Sequence, residues 1–248
     1  MARAARQTRA VRLERLFVAA ADLLLGAACH GCGEPSWGIC PRCRAAVSSH
    51  GCFRTRPEPC PDGFPITVTT APYDAIMRRL ISAHKERGAL GLSPFLAGRL
   101  ATAVGMIAAA AEIGSRPIVL VPVPSARSAV RRRGFDATWA MAAGAARRFH
   151  GDGDVRASRL LVQRRAVQDQ AGLGAAERAA NLRGGFRATS SATDAVVIIV
   201  DDVVTTGASL SEAARALRVA GVPVLAAATV AATERRTTSV ARPAARPD

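Results

Sequence analysis

Five consecutive aliphatic residues at positions 196–200, followed at once by two acids, constrain the fold of this chain more than any other segment. A strand without a polar residue is buried on both faces, which is typical of a parallel sheet covered by helices on both sides. Asp201 and Asp202 follow the run, and a loop then leads into a helical pattern over residues 208–220. In an open parallel sheet the ligand lies beyond the carboxyl ends of the strands, so we expect a binding site here.

The rest of the chain from residue 66 alternates β-branched runs with alanine-rich helical patterns. The patterns predict strands at residues 66–70, 118–123, 160–162, 196–200 and 222–230. They predict helices at residues 73–86, 92–113, 135–149 and 208–220. This order indicates an α/β fold with a mainly parallel sheet and helices on both faces.

The length of 248 residues suits one globular domain and a smaller appendage. We expect an N-terminal helix and cysteine-rich module at residues 1–64, an α/β domain at 65–232 and a disordered tail at 233–248. Apolar residues at helical spacing predict a short amphipathic helix over residues 13–25. No apolar run reaches the roughly 18 residues of a membrane span, so we expect a soluble, cytoplasmic protein.

All six cysteines lie between positions 29 and 60, and four of them form two Cys-x-x-Cys pairs. The pairs are Cys29-His-Gly-Cys32 and Cys40-Pro-Arg-Cys43, a spacing that predicts a closed structural Zn²⁺ site without a position for a catalytic water. A redox pair, disulfides and an export signal ending at Cys29 are the alternatives, although Asp22 and Gly26 do not suit an export signal. Cys52 and Cys60 are expected to be free thiols, with a second metal site near His50 as the weaker alternative.

The loop after the acid pair has the chemistry of a phosphate site. Gly207 lets the backbone come close to a ligand, and the first N–H groups of the following helix favour an anion. The acids suit the vicinal hydroxyls of a ribose, so the segment predicts a site for ribose 5-phosphate. The alternative is a hydroxyl residue that merely caps the helix, with a solvated acid pair at the strand end. The segment is not a Walker A loop, because it has no lysine.

The segment 197–209 resembles the phosphoribosyl pyrophosphate (PRPP) signature of the type I phosphoribosyltransferases along its full length. Other segments resemble the ComF family of competence-associated proteins. They are the four-cysteine element, residues 73–88 with Lys85, Val121-Pro-Val-Pro124 followed by Arg133-Gly-Phe135, and Gln170 with Arg178, Asn181 and Phe186. Together they span residues 29–230.

The resemblance implies a role for each matching residue. The 5-phosphate would be held by Thr205, Thr206, Gly207, Ala208 and Ser209. Asp201 and Asp202 would be the catalytic acids that orient the ribose hydroxyls, with Mg²⁺ neutralising the pyrophosphate. The pyrophosphate would be bound by Lys85, Ser125, Arg127, Arg131 and Arg133. A flexible loop would close over PRPP with Arg164, Arg165 and Gln170, while Arg178 and Asn181 order its base.

The chain also departs from the family pattern. Asp136-Ala137 stands where Asn-Gln usually follows Arg-Gly-Phe, and Val167 stands where threonine is common. The second cysteine cluster of many members is reduced to Cys52 and Cys60.

The formal net charge of +15 favours anionic partners, and Lys85 is the only lysine among 34 basic residues. We expect a PRPP-binding protein that transfers the phosphoribosyl group to a nitrogen nucleophile and releases pyrophosphate; the acceptor is not identifiable from the sequence. The main alternative is an accessory protein of DNA uptake that binds single-stranded DNA or the competence machinery, with PRPP regulatory or vestigial. The aromatic content of 4% speaks mildly against an extended base-stacking surface. A PRPP-sensing regulator is a third hypothesis.

Overall fold

The computed structural model describes residues 27–111, 113, 116–149, 154–164, 182–189 and 194–233. The predicted helix at residues 13–25, the predicted tail after residue 233 and most of the predicted flexible loop lie outside these residues. The structural statements below concern the described residues.

The centre of the molecule is a six-stranded, mostly parallel sheet with the order β1-β2-β8-β7-β3-β4. β1 is antiparallel to β2, and the other neighbours in this sheet are parallel. β5 and β6 form a separate antiparallel pair. The strands are β1 (Phe53–Thr55), β2 (Thr67–Thr69), β3 (Ile118–Pro122), β4 (Val155–Ala157), β5 (Leu161–Gln163), β6 (Phe186–Ala188), β7 (Val196–Val204) and β8 (Val224–Ala232).

Six described α-helices accompany the strands. They are α1 (Pro41–Ser48), α2 (Ala75–Glu86), α3 (Ser93–Ala110), α4 (Arg127–Arg133), α5 (Ala137–Ala146) and α6 (Ala208–Val219). Three begin at a capping side chain, because Cys40, Asp74 and Asp136 each accept a hydrogen bond from a backbone N–H of the first turn.

The alternation of side chains along β7 gives the sheet two buried faces. Ile198 and Val200 belong to one apolar cluster with residues of α2, α3 and α5. Val197 and Ile199 belong to a second cluster with the apolar face of α6. The expected α/β architecture, with a mostly parallel sheet between layers of helices, is therefore confirmed.

The predicted elements agree with the structure in type and differ at their ends. The largest difference is in β7, which continues to Val204 instead of ending at Val200, so that the acid pair lies inside the strand. The sequence patterns missed α1, α4, β1, β4 and β6, which have between three and eight residues. Elements of this length give a weak periodic signal, and β2 and β5, with three residues each, were predicted because β-branched or aliphatic residues mark them.

One described segment is long and apolar enough to span a membrane, although Arg99 interrupts its apolar run. Leu90–Ala110 has 21 residues and a hydropathy of 1.4, which is enough by length and composition. Leu92, Leu96 and Leu100 of this segment are fully buried within the protein. The segment packs as the core helix of one layer, and its apolar character is explained by that burial.

The predicted domain boundary between residues 64 and 65 stays a prediction. β1 lies before this boundary and pairs with β2 after it, with Phe53 opposite Thr69. The central sheet therefore begins within the segment that the sequence assigned to the N-terminal module.

Candidate phosphate-binding site

The junction between β7 and α6 forms a loop whose shape depends on Gly207. This residue has a φ of 74°, in the left-handed region, and it is the N-cap of α6. An added Cβ would lie 2.7 Å from the Phe64 ring and 2.8 Å from Pro57. Glycine is thus required both by the backbone and by the close packing of the β1–β2 connection against the loop.

No side chain caps the N-terminus of α6 in the described structure. The sequence alternative, in which a hydroxyl residue of the loop serves only as the helix cap, is therefore not the arrangement found. A cavity of about 50 Å³ lies against the loop, and its lining includes Asp201, Leu182 and every residue from Thr205 to Ser209. Free N–H groups at a helix N-terminus, hydroxyl side chains and an open cavity together suit a phosphate group.

The two adjacent acids of β7 lie in different surroundings. Their carboxylates are nevertheless close enough for each to shift the pKa of the other, and the backbone N–H of Asp202 donates to Asp201 Oδ1 at 2.9 Å. Asp201 is half-buried and lines the loop cavity. Asp202 is only 3% exposed, and its carboxylate pairs with the ammonium of Lys85, with Nζ lying 2.8 Å from Oδ2 and 3.0 Å from Oδ1.

The electrostatic states of the two acids differ accordingly. Burial raises the pKa of Asp201, and the charge of the neighbouring Asp202 carboxylate raises it further. Burial also opposes ionisation of Asp202, but the Lys85 ammonium outweighs it and lowers the pKa of Asp202. Burial likewise opposes the charge of Lys85, while both carboxylates raise its pKa overall. The pair Lys85–Asp202 is therefore ionised, and Asp201 is the acid that gains or loses a proton more easily near neutral pH.

Lys85 lies at the C-terminal end of α2, and Arg133 holds this end in place. The Nη1 atom of Arg133 donates a hydrogen bond of 2.9 Å to the carbonyl oxygen of Lys85. The side chain of Arg133 is 5% exposed. Next to it, the buried His84 bonds to Ser93 Oγ at 2.8 Å and contacts the Phe135 ring edge-on.

The loop after β3 contributes a second cavity of about 370 Å³. Ser125, Arg127 and Arg131 line this cavity, in agreement with their expected common location after β3. Ser125 Oγ donates a hydrogen bond of 3.0 Å to the carboxylate of Asp136. Lys85 and Arg133 are not part of the cavity lining, so the five residues predicted to bind pyrophosphate fall into two groups.

Of the predicted flexible-loop residues, Arg164 is described, at the end of β5. Its backbone N–H donates a hydrogen bond of 2.8 Å to the carbonyl oxygen of Gly185, next to β6. The other predicted loop residues, Arg165, Gln170, Arg178 and Asn181, lie outside the described residues.

A comparison with known protein families assigns more than half of the chain to one family. The model of the family described as phosphoribosyl transferase domain matches residues 86–245, more than half of the chain. The chain belongs to the phosphoribosyl transferase domain family. No curated protein matches it.

The matched range includes the segment after β3, strand β7, the loop Thr205–Gly207 (the phosphate loop of the prediction) and helix α6. The fold is therefore the mostly parallel phosphoribosyltransferase sheet with its helices, accompanied by a four-cysteine cluster near the N-terminus. This cluster, together with α2 up to Lys85, lies before the matched range. Lys85, which pairs with Asp202 of β7, lies directly before the matched range.

The four cysteines predicted to bind zinc lie together in the structure. The Sγ atoms of Cys29, Cys32, Cys40 and Cys43 are all within 4.8 Å of one another. Backbone N–H groups of Gly31 and Cys40 donate to Cys29 Sγ at 3.4 Å and 3.2 Å, an arrangement that stabilises metal-bound thiolates. The set fits a tetrahedral Zn²⁺ ion, whose Zn–S distances are about 2.3 Å. Such a site would be closed and structural.

The cysteine cluster is attached to the phosphoribosyl transferase domain through α2 and α3. Arg79 of α2 donates from Nη1 to the carbonyl oxygen of Gly31 at 3.1 Å. Arg99 of α3 donates from Nη2 to the carbonyl oxygen of His50 at 2.8 Å. The guanidinium of Arg44 lies 4.9 Å from the centre of the Phe95 ring, as in a cation–π contact.

Sequence reasoning missed the residues that shape the β3 loop. Asp136 accepts from Ser125 Oγ and from the backbone of α5, and its Oδ2 lies 3.5 Å from Nη2 of Arg159. The Arg159 guanidinium also lies 3.9 Å from the centre of the Trp139 ring. The signal in the sequence was the unusual Asp136 itself, since an acidic residue before an alanine-rich segment is a typical N-cap.

Proposed function

We propose that this protein binds PRPP and transfers its phosphoribosyl group to a nitrogen nucleophile with release of pyrophosphate. The observation that carries the proposal is the uncapped N-terminus of α6, which faces a cavity beside Asp201. Phosphate and ribose hydroxyls are the groups that such a loop and such an acid bind. Membership of the phosphoribosyl transferase domain family supports the same ligand.

On this proposal, different groups of residues bind the 5-phosphate, the ribose and the pyrophosphate of PRPP. The loop from Thr205 to Ser209 binds the 5-phosphate through backbone N–H groups and hydroxyls. Asp201 and Asp202 accept hydrogen bonds from the ribose hydroxyls. Ser125, Arg127 and Arg131, which line the cavity after β3, bind the pyrophosphate, the arginines through bidentate guanidinium contacts.

Mg²⁺ fits this site, because the half-buried carboxylate of Asp201 is an oxygen ligand beside the phosphate cavity. When bound with PRPP, the ion would neutralise the pyrophosphate charge. Asp201 would hold the ribose side of that ion, directly or through water. Arg127 and Arg131 of α4 would keep the leaving group oriented and exclude water around it.

The ComF type is the subgroup that we propose within this family. Support comes from the four-cysteine cluster next to α2 and from the contact between Arg133 of the Arg-Gly-Phe segment and Lys85. We propose a cytoplasmic location together with this assignment.

Thermal unfolding with PRPP and Mg²⁺ tests the proposal. A ligand that binds only the native state raises the melting temperature, so the wild type should be stabilised by PRPP. The double variant Asp201→Asn/Asp202→Asn should lose that shift, while Glu86→Gln, which changes a half-exposed acid, should keep it. A wild type whose melting temperature ignores millimolar PRPP would contradict the proposal. Release of pyrophosphate in the presence of amine acceptors then distinguishes an enzyme from a PRPP-sensing regulator, which binds without turnover.

A specific observation also favours single-stranded DNA as a partner in competence. Trp37 lies between Cys32 and Cys40 and is 64% exposed, on a chain with a net charge of +15. An exposed indole on a basic protein can stack on an unpaired base. Salt-dependent binding of a fluorescent oligonucleotide that falls severalfold in Trp37→Ala and is unchanged in Asp201→Asn would support this role. Equal binding by wild type and Trp37→Ala would remove the observation that favours it.

A further inference from the structure

The residues predicted to bind pyrophosphate do not form one cluster. Arg127 and Arg131 line the cavity after β3 together with Ser125. Lys85, at the end of α2, instead contacts Asp202, and Arg133, at the end of α4, contacts the carbonyl oxygen of Lys85. This separation raises the question of what the second group does.

The ammonium of Lys85 is already committed to a buried carboxylate. Its Nζ lies 2.8 Å and 3.0 Å from the two oxygens of Asp202, whose side chain is 4% exposed. Moving Lys85 to a pyrophosphate would leave a buried charge without its partner. Breaking a buried ion pair on one side costs several times more than an exposed pair contributes.

The guanidinium of Arg133 is held more weakly, by a backbone carbonyl oxygen and a half-exposed carboxylate. Its Nη1 donates to the Lys85 carbonyl oxygen at 2.9 Å and lies 3.9 Å from a carboxylate oxygen of Glu86. With a side chain that is 5% exposed, Arg133 places a positive charge at the C-terminus of α2, where the helix dipole favours it. The contact fixes the end of the helix that carries Lys85.

The carboxylate of Asp202 is therefore held from two directions. Besides the ammonium, the backbone N–H of Val203 donates to Oδ1 at 2.9 Å. Both interactions favour an ionised carboxylate in one orientation, which is the state that accepts a hydrogen bond from a ribose hydroxyl.

We propose that Lys85 and Arg133 are positioning residues, which fix the ionised Asp202 at the ribose and do not bind the pyrophosphate. This inference rests on the proposed function, since it assigns roles within the same site. Of the basic residues, Arg127 and Arg131 then bind the pyrophosphate, whereas Lys85 and Arg133 hold the carboxylate of Asp202 in place.

Affinities for two ligands distinguish these roles. Ribose 5-phosphate lacks the pyrophosphate of PRPP, so a pyrophosphate ligand affects only PRPP, whereas a support of Asp202 affects both. We expect Lys85→Met and Arg133→Met to weaken both ligands by the same factor, about tenfold for the loss of one charge-assisted hydrogen bond. Arg127→Met and Arg131→Met should weaken PRPP alone. Arg132→Met is the matched control, because Arg132 is next to Arg133, 71% exposed and 3.6 Å from Glu86, and it should change neither affinity.

A double-mutant cycle tests whether Lys85 acts through Asp202. If it does, Lys85→Met/Asp202→Asn binds ribose 5-phosphate no more weakly than Asp202→Asn alone. The double variant also removes the unpaired buried charge, so it should melt above Lys85→Met and remain measurable if that single variant folds poorly. Additive losses, or a loss of PRPP binding with ribose 5-phosphate binding intact, would overturn the inference. A wild type that binds neither ligand would instead contradict the proposed function.

Discussion

Among single residues, the two neighbouring acids of β7 differ most clearly in their protonation. Asp201 lines the cavity beside the β7–α6 loop, where burial and a neighbouring charge favour its protonated form. Asp202 faces the helix layer, where Lys85 keeps it ionised. The same residue type at two neighbouring positions thus differs in charge because Asp202 pairs with the Lys85 ammonium.

The raised pKa of Asp201 predicts a pH-dependent effect of Asp201→Asn on stability. A group whose native pKa is raised favours the folded state below its unfolded pKa of about 4, and this contribution is lost as the pH rises through the native pKa. Asparagine has no such proton. We therefore expect the free energy of unfolding of the variant, relative to the wild type, to increase between pH 5 and pH 8 by at least about 1 kcal/mol, because the native pKa lies several units above the unfolded one and each unit is equivalent to about 1 kcal/mol. Urea unfolding at the two pH values measures it, and an equal difference at both would contradict the shift.

Gly207 supports a second prediction at this scale. Gly207→Ala should cost at least about 2 kcal/mol of stability, because alanine is strained at positive φ and its Cβ would clash with Phe64 and Pro57. Gly221→Ala is the matched control, since Gly221 has a φ of 75° but nothing within 4 Å of an added Cβ. It should cost about 1 kcal/mol or less. Chemical denaturation compares them, and the loss of ribose 5-phosphate binding should be confined to Gly207→Ala.

At the scale of elements, α6 joins the phosphate loop to the β5–β6 pair. Glu212, in the second turn of α6, accepts from the backbone N–H of Phe186 at 3.2 Å and is 5% exposed. Two hydrogen bonds from Arg215, of 2.6 Å and 2.7 Å, hold its carboxylate in place. The helix that begins at the phosphate loop therefore also fixes the strand that follows the predicted flexible loop.

Glu212→Ala should loosen the β5–β6 pair. The variant leaves the Phe186 N–H without its acceptor, which costs about 1–3 kcal/mol locally. Hydrogen exchange should become faster for the backbone of β5 and β6 and stay unchanged in β7 and β8. Glu86→Ala, which removes a half-exposed acid with long ion-pair distances, should leave both regions unchanged. Faster exchange throughout the sheet would show that Glu212 supports global stability instead.

Long periodic elements could be predicted from the sequence, and contacts between them could not. The aliphatic run of β7 and the spacing of Leu210, Ala213 and Leu217 in α6 carry their own signal, because burial on a strand or helix face follows a fixed period. The Lys85–Asp202 pair joins residues 117 positions apart, and no local pattern reports such a distance. The residue types of the β7–α6 loop could therefore be recognised in the sequence. The partner of Asp202 could not, because it is set by tertiary packing.

At the scale of the whole molecule, the cysteine cluster is joined to the sheet by hydrogen bonds from α2 and α3. Three of its four cysteines are buried, and Cys29, Cys40 and Cys43 are part of the same apolar cluster as the helices of that layer. The cysteine cluster is thus part of the main hydrophobic core and does not form a separate module.

Removal of metal should consequently destabilise the entire protein. We expect about one zinc per chain by elemental analysis after purification without chelators, and none in Cys40→Ser. Chelation should lower the melting temperature by roughly 10 °C in a single transition, which corresponds to a few kcal/mol for a chain of this size. Cys60→Ser, outside the cluster, is the control. Full zinc retention in Cys40→Ser would exclude this ligand set.

The strand order has a consequence for biosynthesis. β2 pairs with β8, and Thr70 Oγ1 bonds to the Val230 carbonyl oxygen across 160 positions of sequence. The early strand leaves the ribosome long before its partner exists, whereas the four thiols, all within residues 29–43, can capture a metal ion as soon as they emerge. Such distant pairing delays completion of the sheet until translation is nearly finished. A nascent chain paused before residue 224 could already bind a metal ion at its four-cysteine cluster. It would still lack β8, so this edge of β2 would have no strand to pair with.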